Sequence, residues 1–246
     1  MIFLILNHKL LKTGLLLIFV FWSSALTAQV PIDLDAMKSR FPNEKLIILN
    51  NEQHMNISTS KKGLEITNNY VSQTLYLTDR AQEYSSESIS YSSTWEEITD
   101  VEAKTLIPAG KKYKALEVDD FSVSKPVSDG LFYDDYEQLS FHYRGLQEGA
   151  ISSLSYNEKI KDPHFLGGFH FRTYAPTEKS VLTATFPSSV KLKYIFRGSQ
   201  DGITFTETVK GGMTTYRWEA ENMAKIPYEA DAPNIRYYAP HILLYV

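Results

Sequence analysis

The chain has 246 residues, a hydrophobic content of 43% that includes 16 Tyr and 13 Phe, a net charge of −4 and no cysteine. Acids and bases are interspersed, so there is no basic field to hold nucleic acid. The lack of thiols excludes a disulfide scaffold, a thiol nucleophile, a thiolate metal site and a Cys-linked lipid anchor.

Taken from the N-terminus, residues 1–28 read as a signal peptide. His8, Lys9 and Lys12 precede an apolar run from Gly14 to Trp22, and small residues follow up to Ala28. Cleavage after Ala25 or after Ala28 both satisfy the pattern. Export to the periplasm or cell surface is the expectation, with no stable membrane span left after cleavage. An uncleaved anchor is the competing reading, because Met1 to Leu6 lengthens the apolar stretch.

Residues 29–45 read as a linker in which Ile32 to Pro42 is a linker or a helical turn, and residues 46–240 read as one domain. Leu46 to Leu49 and Gln53 to Ser58 are strand candidates joined at Asn50 and Asn51, which tolerate positive φ. Lys61-Lys62-Gly63 turns the chain into Leu64 to Thr67 and then Val71 to Thr78, where Val71, Leu75 and Leu77 alternate with polar residues. Asp79 to Ser88 is polar throughout and suits a short helix at most. Val101, Ala103, Thr105 and Ile107 resume the alternation before the turn at Pro108 to Gly110, and Tyr113 to Val123 follows.

Two tetrads echo each other: Phe141-His142-Tyr143-Arg144 and Phe169-His170-Phe171-Arg172. Read as strands, each puts its aromatics on one side and its His and Arg on the other. Ile151 to Ile160 lies between them as a strand that could pair with either. If the tetrads neighbour each other, His142, Arg144, His170 and Arg172 share a face, and paired guanidiniums suit a carboxylate or phosphate. The plainer reading is a polar outer face balanced by acids on adjacent strands.

Further on, Ser180 to Phe186 and Val190 to Phe196 are strands around Pro187. Ile203 to Val209, the turn Lys210-Gly211-Gly212, and Thr214 to Ala220 make the clearest hairpin. Turn signals every eight to twelve residues and the absence of a long helical stripe indicate an all-β fold, an antiparallel β-sandwich of immunoglobulin-like or larger two-sheet form after the signal helix. The apolar run 241–246 is expected to be the start of a truncated following segment, with few contacts to the sandwich.

Catalytic motifs are weak. Ser58 to Lys61, Ser128 to Gly130 and Lys210 to Gly212 fall in the order of the serine β-lactamase motifs, but that chemistry places its Ser at a helix start and here the Lys sits in a hairpin turn. His164 and His170 lack metal-ligand spacing, and no metal or cofactor is expected. The pairs Glu96-Glu97, Asp119-Asp120 and Asp134-Asp135 each split across the faces of a strand, so an acid/base couple would need partners distant in sequence.

The stretch Gly130 to Gly149, continued by Tyr156 to Pro163, together with Phe41 to Glu44, Val101 to Thr105, Tyr216 to Asn222 and Ile226 to Glu229, resembles an exported bacterial family, the domain of unknown function family DUF3857. The resemblance implies a β-sandwich without assigned catalytic residues that usually precedes a transglutaminase-like domain with a Cys-His-Asp set. This chain contains no Cys. The expectation is an exported, non-catalytic module that binds or assembles with a protein partner such as a transglutaminase-like domain. The alternatives are a hydrolase acting on carbohydrate or peptide through acids not paired in sequence, and a truncated gene product.

Overall fold

The computed structural model describes residues 32–125 and 135–246; the signal reading for 1–28 and the Ser128 to Gly130 turn lie outside them. No helix among the described residues is long and apolar enough to cross a membrane.

The first element among the described residues is α1 (Leu34–Arg40), where the Asp33 carboxylate accepts the Ala36 N–H at 3.0 Å as an N-cap. What reads as linker is thus partly helix. Then come β1 (Leu46–Ser60) and β2 (Gly63–Tyr76), β3 (Ser86–Ser92), β4 (Glu96–Ala109), β5 (Lys112–Glu117) and β6 (Phe121–Ser124). The second half supplies β7 (Tyr136–His142), β8 (Ile151–Ile160), β9 (Gly168–His170), β10 (Thr177–Pro187), β11 (Lys193–Arg197), β12 (Ile203–Lys210), β13 (Met213–Met223) and β14 (His241–Tyr245). A short 3-10 turn, Ala81–Tyr84, sits in the polar stretch between β2 and β3.

Four short strands expected before Thr78 are two long ones. The Asn50 and Asn51 pair is not a turn: β1 runs through it, absorbing the irregularity as a bulge between Ile48 and Asn50. Lys61 and Lys62 do make the hairpin, with Gly63 at φ 118°, a value an L side chain strains to reach.

One eight-stranded sheet, in the order β12-β13-β10-β1-β2-β8-β4-β5, carries two separate three-stranded sheets, β11-β14-β9 and β3-β7-β6. Among the described residues all pairs are antiparallel except β1 with β10, which run parallel from Ile48 opposite Thr177 to Asn56 opposite Thr185. Cross-strand register puts Ile57, Ile66, Ala184 and Trp218 on the same face as Tyr76, Ala103 and Leu154. The first group packs with Phe169, Phe171, Ile242 and Leu244 under the sheet β11-β14-β9. The second packs with Phe141 and Tyr143 under the sheet β3-β7-β6. The opposite face buries Ile47, Leu75 and Ile151 against Leu34 and Met37 of α1. The sandwich is therefore one broad sheet with two small covers on one face and a helix on the other.

The C-terminal run corrects its expectation. β14 is the middle strand of its sheet, Ile242 is fully buried, and Leu244 belongs to the largest core. It comes so close to β9 that a Cβ on Gly168 would lie 2.9 Å from the Ile242 carbonyl oxygen. The pairing expected of Ile151 to Ile160 with one of the tetrads is also corrected: β8 pairs with β2 and β4, and with neither tetrad.

Candidate functional site

The tetrads do not meet. Phe141 and His142 end β7 in one small sheet, and Phe169 and His170 end β9 in the other, so the shared face required for a four-residue anion patch is not formed. The alternation itself holds: Phe141, Tyr143, Phe169 and Phe171 are buried, while His142 and Arg144 are exposed and His170 and Arg172 half-buried. Each polar member has a local role. His142 Nδ1 bonds the Ser86 hydroxyl at 3.1 Å across the β3–β7 pair. Arg144 forms an ion pair with Asp119. His170 stacks on His241 with ring centroids 4.7 Å apart, and its carbonyl accepts from the Asn51 side chain at 3.3 Å. Arg172 donates to the carbonyls of Ala224 and Lys225 at 2.8 and 3.1 Å. His164, whose spacing from His170 does not suit a metal, bonds Asp162 at 2.7 Å in its own loop.

Because two small sheets cover one large one, a strip of the large sheet lies between them, and there the sequence is polar. Gln53 of β1, Asn68 of β2 and Ser180 of β10 are all buried on it. Glu158 of β8 accepts from Asn68 at 2.6 Å and from the Tyr70 hydroxyl at 3.0 Å, while Tyr70 stacks on Tyr156 at 4.7 Å. Burial and the nearby Glu158 carboxylate push the Tyr70 phenol far above its ordinary range, so it stays a neutral donor.

Beside this strip lies a cleft of two adjoining hollows, about 770 and 320 Å³, which share Glu87. Ser72, Thr74 and Tyr76 of β2 and Tyr156 of β8 contribute to its floor; the residues from Tyr84 to Ser90 form one wall, and Thr173 to Ala175 contribute the other. Glu87 is solvent-accessible at the mouth, yet the surrounding walls desolvate its carboxyl and raise its pKa, an effect partly offset by the Ser88 N–H. Glu44 and Lys225 close the rim with an ion pair at 2.6 Å.

Among the described residues, β3, which makes this wall, is an edge strand. Tyr143 N–H donates to the Ser85 carbonyl and Ser93 N–H to the Asp135 carbonyl, both at 2.8 Å. In an antiparallel pair this sets the odd-numbered residues of β3 against β7 and turns the backbone groups of Ser86, Ser88, Ser90 and Ser92 outward. Carboxylates take two of these outward donors: Glu87 accepts the Ser88 N–H at 3.0 Å, and Glu96 accepts the Ser92 N–H at 2.9 Å.

Beyond the end of β3 is a further hollow of about 490 Å³ walled by Trp95, Tyr136 and Phe165, with Glu96 and Asp135 on its lining. The three rings are 40%, 53% and 48% exposed, and Trp95 and Phe165 lie 5.0 Å apart. Asp135 accepts the Ser92 hydroxyl at 2.5 Å, a bond that holds its carboxyl below the usual range. Burial raises Glu96, helped by the charges of Glu158 and Asp135 and opposed by the Ser92 N–H. In the sequence Glu96 and Asp135 fall in separate adjacent pairs; their meeting depends on the β3–β7 register, which no local pattern encodes.

Comparison with known proteins adds a fold relation. No curated protein matches the chain. Among solved structures, a candidate protease from Parabacteroides distasonis superposes with a TM-score of 0.67 at 16% identity, over 81% of this chain and 40% of that one. An M1 zinc metallopeptidase from Deinococcus radiodurans gives a TM-score of 0.37 at 9% identity over 72% and 39%, and yeast LTA4 hydrolase in complex with bestatin gives 0.35 at 10% over 81% and 34%. The chain thus spans less than half the length of these proteins. Residues 62–227 match the domain of unknown function family DUF3857, a stretch from the β1–β2 turn to beyond β13. The chain belongs to the DUF3857 family.

Proposed function

We propose that the chain is an exported, non-catalytic module that binds an extended segment of a partner protein, a transglutaminase-like domain foremost, along the free edge of β3. The supporting observation is the combination of that edge with the cleft beside it. The outward backbone groups of Ser86 and Ser90 offer a strand-pairing ladder, and the cleft gives alternate side chains of an added strand a place to go. Two capped donors keep the edge from pairing indiscriminately. The test is Ser90→Pro. It removes an outward N–H without touching the ladder to β7, so the chain stays folded while pairing is blocked. Hydrogen exchange with and without a transglutaminase-like domain of the kind that follows this fold in the family should show protection of Ser86 and Ser90 in the unaltered chain, with the protection of Ser86 lost in the variant. Protection elsewhere, or equal binding by the variant, overturns the proposal.

A hydrolase acting on carbohydrate or peptide is the second reading, favoured by one observation: Glu96 and Asp135 share a hollow while their pKa values are pushed in opposite directions, as in a proton donor with an ionised partner. Turnover of chromogenic glycosides or peptides that disappears in both Glu96→Gln and Asp135→Asn would establish it. No turnover in the unaltered chain leaves the binding module.

A further inference from the structure

The hollow of Trp95, Tyr136 and Phe165 sits at the end of β3, where its rings are exposed around an ionised carboxylate. Large apolar side chains left open to water in one concavity mark a binding surface rather than a core. Their faces carry the negative lobe of the aromatic quadrupole, which attracts cations. The backbone that carries Trp95 is tied into its surroundings. Trp95 N–H donates to the Ser92 carbonyl at 3.1 Å, the Trp95 carbonyl accepts the Lys161 N–H at 2.8 Å, and Lys161 Nζ reaches the Ser93 carbonyl at 2.7 Å. Asp135 is fixed from both ends: its side chain accepts from Ser92, and its carbonyl accepts the backbone N–H of Ser93 at 2.8 Å and the Ser93 hydroxyl at 3.0 Å. Glu96 reaches the same lining and is tied to the Ser92 N–H. Lys125 lies on the Asp135 side, with its ammonium 4.0 Å from Glu137.

We propose that this hollow is a site for an organic cation, a guanidinium or alkylated ammonium group, held between the rings of Trp95, Tyr136 and Phe165 and the carboxylates of Asp135 and Glu96. Neither a plain apolar pocket nor a metal site fits as well. An apolar ligand would cover two carboxylates on the lining without bringing a counter-charge to them. A hard metal ion would find carboxylate oxygens but would meet aromatic rings where it needs more oxygen. An organic cation satisfies both kinds of wall: the rings desolvate its carbon skeleton while the carboxylates take its charge. Two sources carry that chemistry: a free small molecule, or an Arg or Lys side chain on a segment paired with β3. The second deepens the peptide-binding reading and rests on it; the first does not.

The experiment follows the indole N–H resonances of Trp95 and Trp218 of the chain during titration with methylguanidinium and with tetramethylammonium, against tert-butanol as a neutral isostere and glucose as a neutral sugar. The expected result is a saturable shift at Trp95 with the cations in the millimolar range or tighter, at least about tenfold weaker with tert-butanol, and no shift of the buried Trp218, which reports that the fold is unchanged. Asp135→Asn should weaken cation binding by about tenfold, corresponding to about 1.4 kcal/mol, and leave tert-butanol as it was. Tyr136→Ala, which removes a wall but no charge, should weaken both. Equal affinity for cation and isostere, a stronger shift with glucose, or no saturable shift overturns the proposal. An Arg-containing octapeptide separates the sources. If it binds at least about tenfold tighter than methylguanidinium and loses only that gain in Ser90→Pro, the cation is a side chain of a strand on β3. If peptide and free cation bind alike in both forms, the site takes a small molecule and the β3 edge reading fails alone.

Discussion

The two small sheets sit on the same face of the large one and are built from the same tetrad echo, but they are used differently. β11-β14-β9 rests on a continuous apolar floor that includes Trp218, Phe186 and Leu182, and its middle strand adds the buried Ile242 and Leu244 to it. β3-β7-β6 rests on a smaller apolar patch around Tyr76 and Phe141, and its outer strand reads Ser-Glu-Ser-Ile-Ser-Tyr-Ser, with serine backbone groups turned to solvent. One cover is a lid on a dry core, whereas the other is half a lid and half a wall of a cleft. The difference teaches that apolar burial on a sandwich face need not be uniform. Where the floor turns polar, between Gln53 and Glu158, the layers part and leave space for a ligand.

The largest expected effect tests the dry side. A chain ending at Pro240 lacks β14, the strand that both β9 and β11 pair with, and should lose its cooperative unfolding transition in a thermal melt. A melt within about 5 °C of the full chain, roughly a kcal/mol for a domain of this size, would show that the lid is dispensable.

Next are the tetrad aromatics. Phe171→Ala should destabilise by about 3–5 kcal/mol in a denaturant titration, because the ring is fully buried and the cavity cannot collapse between packed layers. Phe141→Ala falls in the same class but should cost less, since its cover ends at the cleft and can relax into it. A reversed order would break the contrast between dry and wet covers.

A smaller effect separates the two acids beyond β3 by sign. The pKa of Glu96 is raised on folding, so the folded chain loses stability as pH climbs from the ordinary carboxylate range through the elevated value. Glu96→Gln should therefore raise the thermal midpoint at neutral pH and lose that advantage at pH values below the ordinary range. The pKa of Asp135 is lowered, so its contribution is present above the ordinary value and disappears as pH falls through the depressed one. Asp135→Asn should lower the midpoint at neutral pH, with the deficit closing in acid. Profiles of the same sign would show that the hollow does not distinguish its carboxylates.

The smallest effect is at Arg144, an exposed partner of exposed Asp119. Arg144→Ala should change stability by no more than about 1 kcal/mol in the same titration and should not alter binding at the cleft.

Much of this fold was legible in the sequence because alternation is a local signal. Phe141, Tyr143, Phe169 and Phe171 point inward as their spacing requires, and the β12–β13 hairpin forms at Lys210 to Gly212 as the turn chemistry requires. Alternation says which side of a strand is wet but not which sheet the strand joins. That is why two similar tetrads, which would share a face only as neighbours, lie in different sheets. It is also why the run 241–246 departs from its expectation: an apolar run looks the same in sequence whether it is an uncovered edge or a middle strand. The hollow of Trp95 and Asp135 was hidden for the same reason. Its parts come from the turn after β3, the start of β7 and the loop after β8, brought together by pairings some forty to seventy residues apart in sequence.

The one parallel seam, β1 against β10, also bears on how the chain reaches this state. The partners are 129 residues apart, as in Ile48 and Thr177, and no hairpin can bring them together. The strands β1, β2, β8, β4 and β5 can pair among themselves before β10 arrives, but the broad sheet is complete only when the segment from β10 to β13 docks along β1. Closing so long a loop delays the rewarding contacts, and high contact order means slow folding. For that interval the open flank of β1 is a sticky template, and the polar run Asn50-Asn51-Glu52-Gln53-His54 along it is a suitable gatekeeper against premature pairing with another chain.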